Sequence, residues 1–450
     1  MMTGIHGGHP PWIPMVMVLF GLFLIIFLMF FGIVPPAMGT PMGLTFFSET
    51  PPRPRSQNVD IPSLELITRI DRHLITIPAG ESIAQRFFQR FPSHLTEDPL
   101  TIENLNLFLQ SLDRYASYIP PQPKSITPLL EKETTRAMGT LLLPWKNNIL
   151  MVPAKGGAAF HDGLEDAQFL RAIQGKKISD FTVDHVAAQI DNAFLHNMSV
   201  QFSFIHPASN QEMTLPLHQR DFFPAPVEVN HVVISPQHPV FYIRILKFTS
   251  HQTRDALEAA ILAITHTTHH LFLDLRYCLG GDYHEALDTA SLFIPQDRLM
   301  AKTLDKTGDS QYYYSIPGKK ILNRPISILV GPHTASAGEV FAQTMADSAG
   351  NTFLVGAKTY GKCLSQKDFP LSNGGHLRLS NLKLFGADGS TCKSAAKDPN
   401  IYIPPPQLFD TKEVISAIMR SRTTTVSPTR KYPNRPSIFS PTNPYDRSGI

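Results

Sequence analysis

The chain has 450 residues, enough for roughly two to three domains, and 42% of them are hydrophobic, which is sufficient for a sizeable core. Charged residues make up 17% and the net charge is only +3. This balance argues against a nucleic-acid-binding protein, since such proteins carry a basic surface. The three cysteines, Cys278, Cys363 and Cys392, are too few for a disulfide framework, and they neither demand nor exclude an oxidising compartment.

An apolar segment, Met15–Val34, lies near the N-terminus and contains no charged residue. About twenty apolar residues span a bilayer as a helix, so we expect one membrane anchor here. A signal peptide is the alternative, but no Lys or Arg precedes the segment and the sequence PPAMGTPMG after it is a poor cleavage site. Arg53 and Arg55 favour a cytoplasmic position for the side that follows the anchor. Residues 35–57 are rich in Pro, Gly, Ser and Thr and form a predicted tether, which completes a first region at 1–57.

Two regions of different periodicity follow the tether. Residues 58–134 carry mostly helical patterns, such as the segment 102–112, whose apolar residues share one face. A turn-rich linker is expected at 112–120. Residues 135–222 contain short strands and one helix at 183–190, which indicates a small β-rich domain.

Strands and helices alternate from 223 to 410, which is typical of a layered α/β core. Apolar strands are predicted at Ile326–Val330 and Thr352–Val355, and a hairpin is predicted at 367–384. The tail at 411–450 is rich in Pro, Ser and Thr, and we expect it to be disordered apart from one short helical piece.

Ser336 lies at a predicted strand-to-helix junction, and Lys362 lies on the loop after the next strand. Because the same ends of neighbouring strands meet at one edge of an α/β sheet, we expect these side chains to lie close together. A serine becomes a nucleophile when a base takes its proton, and a lysine can be that base when burial keeps its amine neutral. No acidic residue is near Lys362 in sequence, and neutral Gln366 can orient the amine without raising its pKa as a carboxylate would.

The carbonyl oxygen of a substrate also needs hydrogen-bond donors. The backbone N–H of Ala337 is one candidate, and the Gly280–Gly281 turn at the end of another predicted strand is the other. No G-x-S-x-G motif surrounds Ser336, so a nucleophile-elbow hydrolase is not supported.

The same polar residues also have ordinary structural interpretations. A serine at a strand-to-helix junction is commonly an N-cap, and an isolated lysine is commonly solvated. Glu339, in the first turn of a helix, fits a helix-start charge or a buried anchor better than an acid catalyst. His333 is a rival base, which leaves a Ser/His hydrolase open. His266, His269 and His270 have a spacing that a metal could use, but no Cys or carboxylate ligand lies close in sequence on the helix side, and we expect no metal or cofactor.

Several segments resemble the motifs of one protease family, in the family's order. They are LDRYASYIPP at 112–121, AMGTLLLP at 137–144, LFLDLRYCLGG at 271–281, GPHTASAGE at 331–339 and VGAKTYGKCLSQ at 355–366. The family is that of the carboxy-terminal processing, or tail-specific, proteases, and the resemblance covers about residues 60 to 405. It implies a crotonase-like layered protease core of mixed α/β class at 223–410, with a PDZ-like domain at 135–222.

The resemblance implies a Ser/Lys dyad in which Ser336 is the nucleophile, Lys362 the base and Gln366 the hydrogen-bonding partner of the base. The interval between serine and lysine is a residue longer than in the family, which we expect the intervening helix or its exit turn to absorb. Cys278 and Cys363 stand where the family prefers other residues. A redox contact between these two cysteines is therefore a hypothesis.

The sequence thus predicts a serine endopeptidase that binds protein C-termini on the amides of Met138, Gly139 and Thr140 and cleaves through an acyl-enzyme. A catalytically silent scaffold that binds C-terminal peptides is the alternative, because the glycine loop departs from the family pattern. The expected partners are protein or peptide substrates and a membrane, with a homo-oligomer as an option. The family favours a catalytic part on the periplasmic side of the bacterial inner membrane, against the weak charge signal of the two arginines.

Overall fold

The structure is a computed structural model that describes residues 58–77, 80–92, 100–121, 138–178, 182–194, 197, 199–220, 222, 224–235, 238–263, 270–318, 321, 325–350, 352–391 and 399–422. These residues all belong to one compact unit, Gln57–Ile450. The predicted anchor at 15–34 and tether at 35–57 lie outside the described residues.

Three helices come first along the chain: α1 (Ser63–His73), α2 (Ile83–Arg90) and α3 (Ile102–Leu112). Side-chain caps fix two of the starts, because Ser82 accepts a hydrogen bond from the backbone of Gln85 and Thr101 accepts one from Asn104. The apolar face predicted for the third helix is confirmed, since Leu105 and Leu109 are fully buried.

A β-rich unit follows, and we use this name for residues 138–218. It contains β2 (Thr140–Trp145), β3 (Asn148–Pro153), α4 (Ala158–His161), β4 (Gln168–Ile173), β5 (Lys176–Lys177), α5 (Val183–Phe194), β6 (Ser199–Ile205) and β7 (Glu212–His218). The strands form an antiparallel sheet in the order β2-β3-β4-β6-β7, with β5 paired to β4. Among the described strands, β2 is therefore an edge of this sheet, and α5 packs beside it over a separate apolar core.

The central sheet has the order β17-β14-β13-β10-β9-β8. Its strands are β8 (Val227–Ser235), β9 (His238–Ile245), β10 (Leu271–Asp274), β13 (Ile326–Val330), β14 (Thr352–Gly356) and β17 (Ile401–Tyr402). All neighbours are parallel except β8 and β9. Strand β13 is buried along its whole length, as its continuous apolar sequence predicts for a parallel strand covered on both faces.

Helices cover both faces of the central sheet. They are α6 (Thr253–Leu262), α7 (Tyr283–Ala290), a 3₁₀ turn (Ser291–Phe293) and α8 (Ala337–Ser348) on one face, with α9 (Pro405–Leu408) and α10 (Thr411–Arg422) on the other. The alternation of side chains along β10 shows the two layers, because Leu271 and Leu273 join the first core while Phe272 joins the second.

A third sheet lies beside the central one, in the order β1-β16-β11-β12 with β15 paired to β16. Its strands are β1 (Ser117–Ile119), β11 (Leu299–Leu304), β12 (Ser310–Tyr314), β15 (Leu364–Pro370) and β16 (His376–Gly386). The hairpin predicted at 367–384 is confirmed as β15–β16. Its buried residues Leu377 and Leu379 share a core with the three N-terminal helices, which fixes those helices to this sheet.

Two predictions made from the sequence are wrong at this level. The segment 112–120 is more than a linker, because β1 pairs antiparallel with β16. The tail does not begin at 411: the short helical piece predicted there is confirmed as α10, Thr411–Arg422, but it buries Val414, Ile415 and Ile418 against the central sheet and belongs to the core. The Pro, Ser and Thr composition that suggested disorder belongs mainly to the residues beyond this helix, which are outside the described residues.

Within the part of the chain that the structure describes, no helix is both long and apolar enough to cross a membrane. The predicted span Met15–Val34 lies outside that part.

We predict that helix α10 stabilises the folded core. Replacing fully buried Ile415 by alanine leaves a cavity and should lower the free energy of unfolding by about 2–4 kcal/mol, measured by urea denaturation. Lys412→Ala, an exposed change on the same helix, is the control and should alter it by less than about 0.5 kcal/mol. Equal, small effects of the two changes would mean that α10 is not part of the core.

Candidate active site

Ser336 stands in a strained turn between β13 and α8. Its backbone has φ +53° and ψ −120°, a conformation that residues other than glycine seldom adopt. Neighbouring hydrogen bonds impose this shape, since the Ala335 N–H donates to the Cys278 carbonyl at 3.0 Å and the Thr334 hydroxyl donates to the Leu275 carbonyl at 2.7 Å. The serine thus stands at the start of α8, and the two residues before it are held by the loop after β10.

The predicted glycine turn lies directly against this serine. Gly280 has φ +112°, and a Cβ built on it would lie 2.8 Å from the Ser336 Cβ and 3.1 Å from the Ala337 nitrogen. Gly281 has φ +133° and a Cβ there would lie 2.2 Å from the Phe248 carbonyl oxygen. Only glycine permits these approaches. The structure therefore brings Gly280 and Ala337 together at Ser336, while Gly281 fastens the turn to the segment after β9.

The buried carboxylate of Glu339 joins the serine to the lysine loop. Its Oε2 accepts the Ser336 N–H at 3.0 Å and the Lys362 N–H at 2.8 Å, while its Oε1 accepts the Gly361 N–H at 2.7 Å and the Thr359 hydroxyl at 2.5 Å. Two backbone nitrogens from segments separated by a helix and a strand therefore meet at one oxygen. Glu339 is the buried anchor that the sequence indicated.

The Lys362 amine is held by neutral groups. Its Nζ donates to Gln366 Oε1 at 2.5 Å, and Gln366 Nε2 donates to the Tyr115 carbonyl at 2.7 Å. Burial lowers the pKa of the Lys362 amine below its usual range, and the positive charge of Arg378 lowers it further. The predicted pairing of Lys362 with Gln366 is thus present, and the amine is destabilised as a cation.

Tyr115 is a site residue that the sequence interpretation missed. Its carbonyl orients Gln366, and its ring centroid lies 4.9 Å from the Lys362 Nζ. The Arg114 guanidinium lies over the same ring and over Tyr360 on the lysine loop. The dipeptide stands in the segment assigned to a linker, and its only signal was the match of LDRYASYIPP to a family motif.

A buried ion pair lies at the end of β10, just before the glycine turn. Arg276 donates to both carboxylate oxygens of Asp274 at 2.9 Å, and it also donates to the Leu408 carbonyl and to Thr411 Oγ1. Burial tends to raise the pKa of Asp274, but Arg276 and Arg244 beside it hold that pKa below its ordinary value. Strand β10, which precedes the glycine turn, is therefore connected to helices α9 and α10. Sequence patterns did not reveal this connection.

The predicted contact between two cysteines is wrong. Cys278 is a free and fully buried thiol, whose pKa burial raises to about 12. Cys363 is disulfide-bonded. The Cys278 sulfur instead packs 3.4 Å from where a Gly338 Cβ would stand, so it fills space beneath the nucleophile loop.

The histidines proposed as alternatives have other environments. His333 Nε2 is 2.8 Å from the Pro144 carbonyl in the β-rich unit, so the ring faces away from the serine loop and towards β2. His270 Nε2 lies 2.9 Å from Ser327 Oγ, and His266 and His269 are outside the described residues. No cluster of metal-ligating side chains exists among the residues that the structure describes.

The loop expected to hold a substrate carboxylate precedes β2. Met138 and Thr140 are buried, and Gly139 has φ +63°. A Cβ at Gly139 would lie 2.5 Å from the Gly157 Cα and 2.8 Å from the Phe222 ring, so the loop is packed closely from behind. The three residues lie at the start of β2, the edge strand of the β-rich unit.

Comparison with known proteins matches the region of the candidate site to a peptidase family. Residues 239–403 match peptidase family S41, and this range contains the glycine turn, Ser336, Glu339 and Lys362. This part of the chain is similar to peptidase family S41. A carboxyl-terminal-processing protease of Synechocystis sp. is 28% identical over 234 residues, 52% of this chain and 54% of that protein. A carboxy-terminal-processing protease of Bartonella bacilliformis is 24% identical over 320 residues, 69% of this chain and 71% of that protein.

A solved S41-like structure supports the fold. The photosystem II D1 C-terminal processing protease superposes with a TM-score of 0.52 at 20% identity, over 78% of this chain and 95% of that one. The chain spans about half the length of the Synechocystis relative. The mixed α/β fold of an S41 peptidase is therefore established for the described residues.

We predict that Ser336 stores backbone strain that glycine relieves. Ser336→Gly and Ser336→Ala both lack the hydroxyl, but only glycine adopts φ +53° freely, so the glycine variant should be more stable by about 1–2 kcal/mol. Urea denaturation of both variants measures the difference. The same pair at Ser82, an N-cap with φ −88°, is the control for ordinary capping. If the glycine and alanine variants differ in stability no more at Ser336 than at Ser82, the prediction of strain at Ser336 is wrong.

Proposed function

We propose that the protein is a serine endopeptidase in which Ser336 is the nucleophile and Lys362 the general base. The observation that carries this proposal is the environment of the lysine amine, which is half-buried, bonded to neutral Gln366 and lowered in pKa. An amine that releases its proton more easily can accept one from a serine hydroxyl at moderate pH. The match of residues 239–403 to peptidase family S41 supports the same assignment.

The reaction follows from these positions. The neutral Lys362 amine takes the Ser336 proton while Oγ attacks the peptide carbonyl carbon, and the negative charge moves to the carbonyl oxygen. The backbone N–H groups at Gly280, Gly281 and Ala337 are the proposed donors to that oxyanion. Collapse breaks the C–N bond, the Lys362 ammonium protonates the leaving amine, and an acyl-enzyme remains. Water activated by the same amine then releases the acid and frees the serine.

We further propose that the β-rich unit is a PDZ-like domain that binds substrate C-termini. Its edge strand β2 and the neighbouring helix α5 border a groove, and a peptide can extend the sheet by pairing with β2. The packed Gly139 loop at the start of β2 supports a carboxylate site at Met138, Gly139 and Thr140. The ligand is thus the free C-terminal tail of a protein.

The proposed location is the extracytoplasmic face of a bacterial membrane, with the apolar segment Met15–Val34 as anchor. The disulfide at Cys363 supports it, because such bonds persist in oxidising compartments and are rare in the cytosol. Assembly into a homo-oligomer stays a prediction.

The dyad is tested by cleavage of an unstructured protein by the full chain. Ser336→Ala and Lys362→Ala should each lower kcat/KM by roughly 10³-fold or more, because the two groups act as one unit. Gel analysis and mass spectrometry of the products measure the rate and the cut position. Lys358→Ala, on the exposed side of the same loop, is the matched control and should remain active.

Other outcomes separate the alternatives. Loss of cleavage in Ser336→Ala but not in Lys362→Ala would assign the base to another group. A parent chain that binds C-terminal peptides and cleaves nothing would be the silent scaffold.

The pH profile provides a second prediction. Only the neutral amine acts as base, so kcat/KM should rise with pH through the lowered pKa of Lys362. Arg378, which pairs with Asp368, lowers that pKa, so Arg378→Gln removes a positive charge, raises the pKa and should move the rising limb to higher pH. Arg171→Gln in the β-rich unit is the control. An unmoved limb in the first variant would show that another group controls the profile.

A further inference from the structure

Arg114 is an exposed cation beside the proposed dyad, in the turn between α3 and β1. Its guanidinium carbon lies 4.5 Å from the centroid of the Tyr115 ring and 5.4 Å from that of the Tyr360 ring. The same Tyr115 ring lies 4.9 Å from the Lys362 Nζ. The Tyr360 N–H donates to the Thr334 carbonyl at 3.0 Å, in the turn that carries the serine. The guanidinium therefore shares its two aromatic neighbours with both halves of the candidate site.

The Arg114 side chain is held in one position although it is exposed. A guanidinium is attracted to aromatic rings, and one N–H group of Arg114 also donates to the Tyr115 hydroxyl. A guanidinium carries five N–H donors, and no other hydrogen bond of this one is present within the described ranges. Because the side chain is already ordered, an anion that binds its remaining donors costs little further conformational entropy.

The carboxylates around the lysine already have other partners. The Asp113 Oδ1 accepts the Tyr115 N–H at 3.1 Å, and Asp368 forms an ion pair with Arg378. The buried carboxylate of Glu339 is surrounded by its four donors. Arg114 forms no ion pair with any residue that the structure describes. A carboxylate brought in by a substrate would thus meet an ordered cation with unused donors.

We propose that Arg114 is a specificity residue that binds an acidic side chain of the substrate close to the scissile bond. The scissile carbonyl must lie between Ser336 and Lys362 for the dyad to act, so a substrate residue beside it passes the two tyrosine rings. The fork of N–H donors on a guanidinium matches the two oxygens of a carboxylate. The substrate class is therefore proteins with a glutamate or aspartate at one position next to the cut. The inference rests on the proposed function, since it assumes cleavage at this dyad.

The charge of Arg114 also acts on the lysine, and this determines how the test is run. Burial lowers the pKa of the Lys362 amine, and the positive charges of Arg378 and Arg114 lower it further. A bound carboxylate would offset part of the Arg114 charge and raise that pKa again. Acidic and neutral substrates must therefore be compared above the rising limb of the pH profile, where the amine is neutral with both.

The test uses peptides that share one cleavable sequence and one C-terminal tail. In each peptide a single glutamate replaces a glutamine at one position around the scissile bond, and kcat/KM is compared with that of the glutamine peptide. At one position the full-length protein should prefer glutamate about fivefold, because an ordered guanidinium pairs with the carboxylate. Arg114→Gln should bring this ratio close to unity. Arg90→Gln, which removes an exposed arginine from α2, is the control and should preserve the ratio.

Two further variants separate recognition from a structural role. Arg114→Lys keeps the charge without the fork and should retain part of the preference, whereas Arg114→Glu should prefer a lysine at the same substrate position. If Arg114→Gln lowers kcat/KM equally for the glutamate and glutamine peptides, the arginine only supports the tyrosine rings and the proposal is wrong. A glutamate preference that persists in Arg114→Gln overturns it as well.

A binding measurement distinguishes failure of this inference from failure of the proposed function. Fluorescence anisotropy with full-length Ser336→Ala compares the glutamate and glutamine peptides, with and without the additional change Arg114→Gln. Tighter binding of a glutamate peptide that requires Arg114, without cleavage by the unaltered protein, retains the anion site and rejects proteolysis. Cleavage with no glutamate preference at any position retains proteolysis and rejects the anion site. Absence of both cleavage and preferential binding rejects both proposals.

Discussion

The candidate site depends on the hydrogen bonds that the Glu339 carboxylate accepts. A buried anion is stable only when donors surround it, and here four donors from two segments do so. The arrangement forces the strained serine turn and the lysine loop to share one acceptor. Removing the carboxylate would leave those donors unsatisfied, so the same group serves both the start of helix α8 and the attachment of the lysine loop to it.

The site is assembled from three parts of the chain that fold into different layers. The central sheet supplies the glycine turn and the serine, and the Asp274–Arg276 pair fixes that turn to the C-terminal helices. The third sheet supplies Lys362 and Gln366, and the N-terminal region supplies Tyr115. The β-rich unit meets this assembly through a shared core that includes Tyr277 and Phe409. Each layer has its own core of buried apolar side chains. The polar contacts between the layers fix their relative positions.

The sequence predicted the parts whose signal is local. Continuous apolar runs such as Ile326–Val330 identified the buried strands, and the Gly280–Gly281 pair marked a turn in which both glycines have a positive φ. Tyr115 could not be found in this way, because its contribution is a backbone carbonyl, which every residue possesses. Strands β11 and β12 were missed since they carry charged and polar residues on an exposed face. The helical piece predicted in the tail is present as α10, but its burial in the core was not predicted, because that burial depends on the distant sheet.

The bond from Gln366 to the Tyr115 carbonyl joins residues 251 positions apart. During synthesis Tyr115 leaves the ribosome long before the segment that carries Lys362 exists, and the amine has no oriented partner until both halves have met. A nascent or truncated chain therefore lacks the oriented Lys362 amine on which the proposed dyad depends. For the proposed peptidase, covalent completeness of the polypeptide would act as a safeguard, since the amine of the proposed base is oriented only when folding has finished.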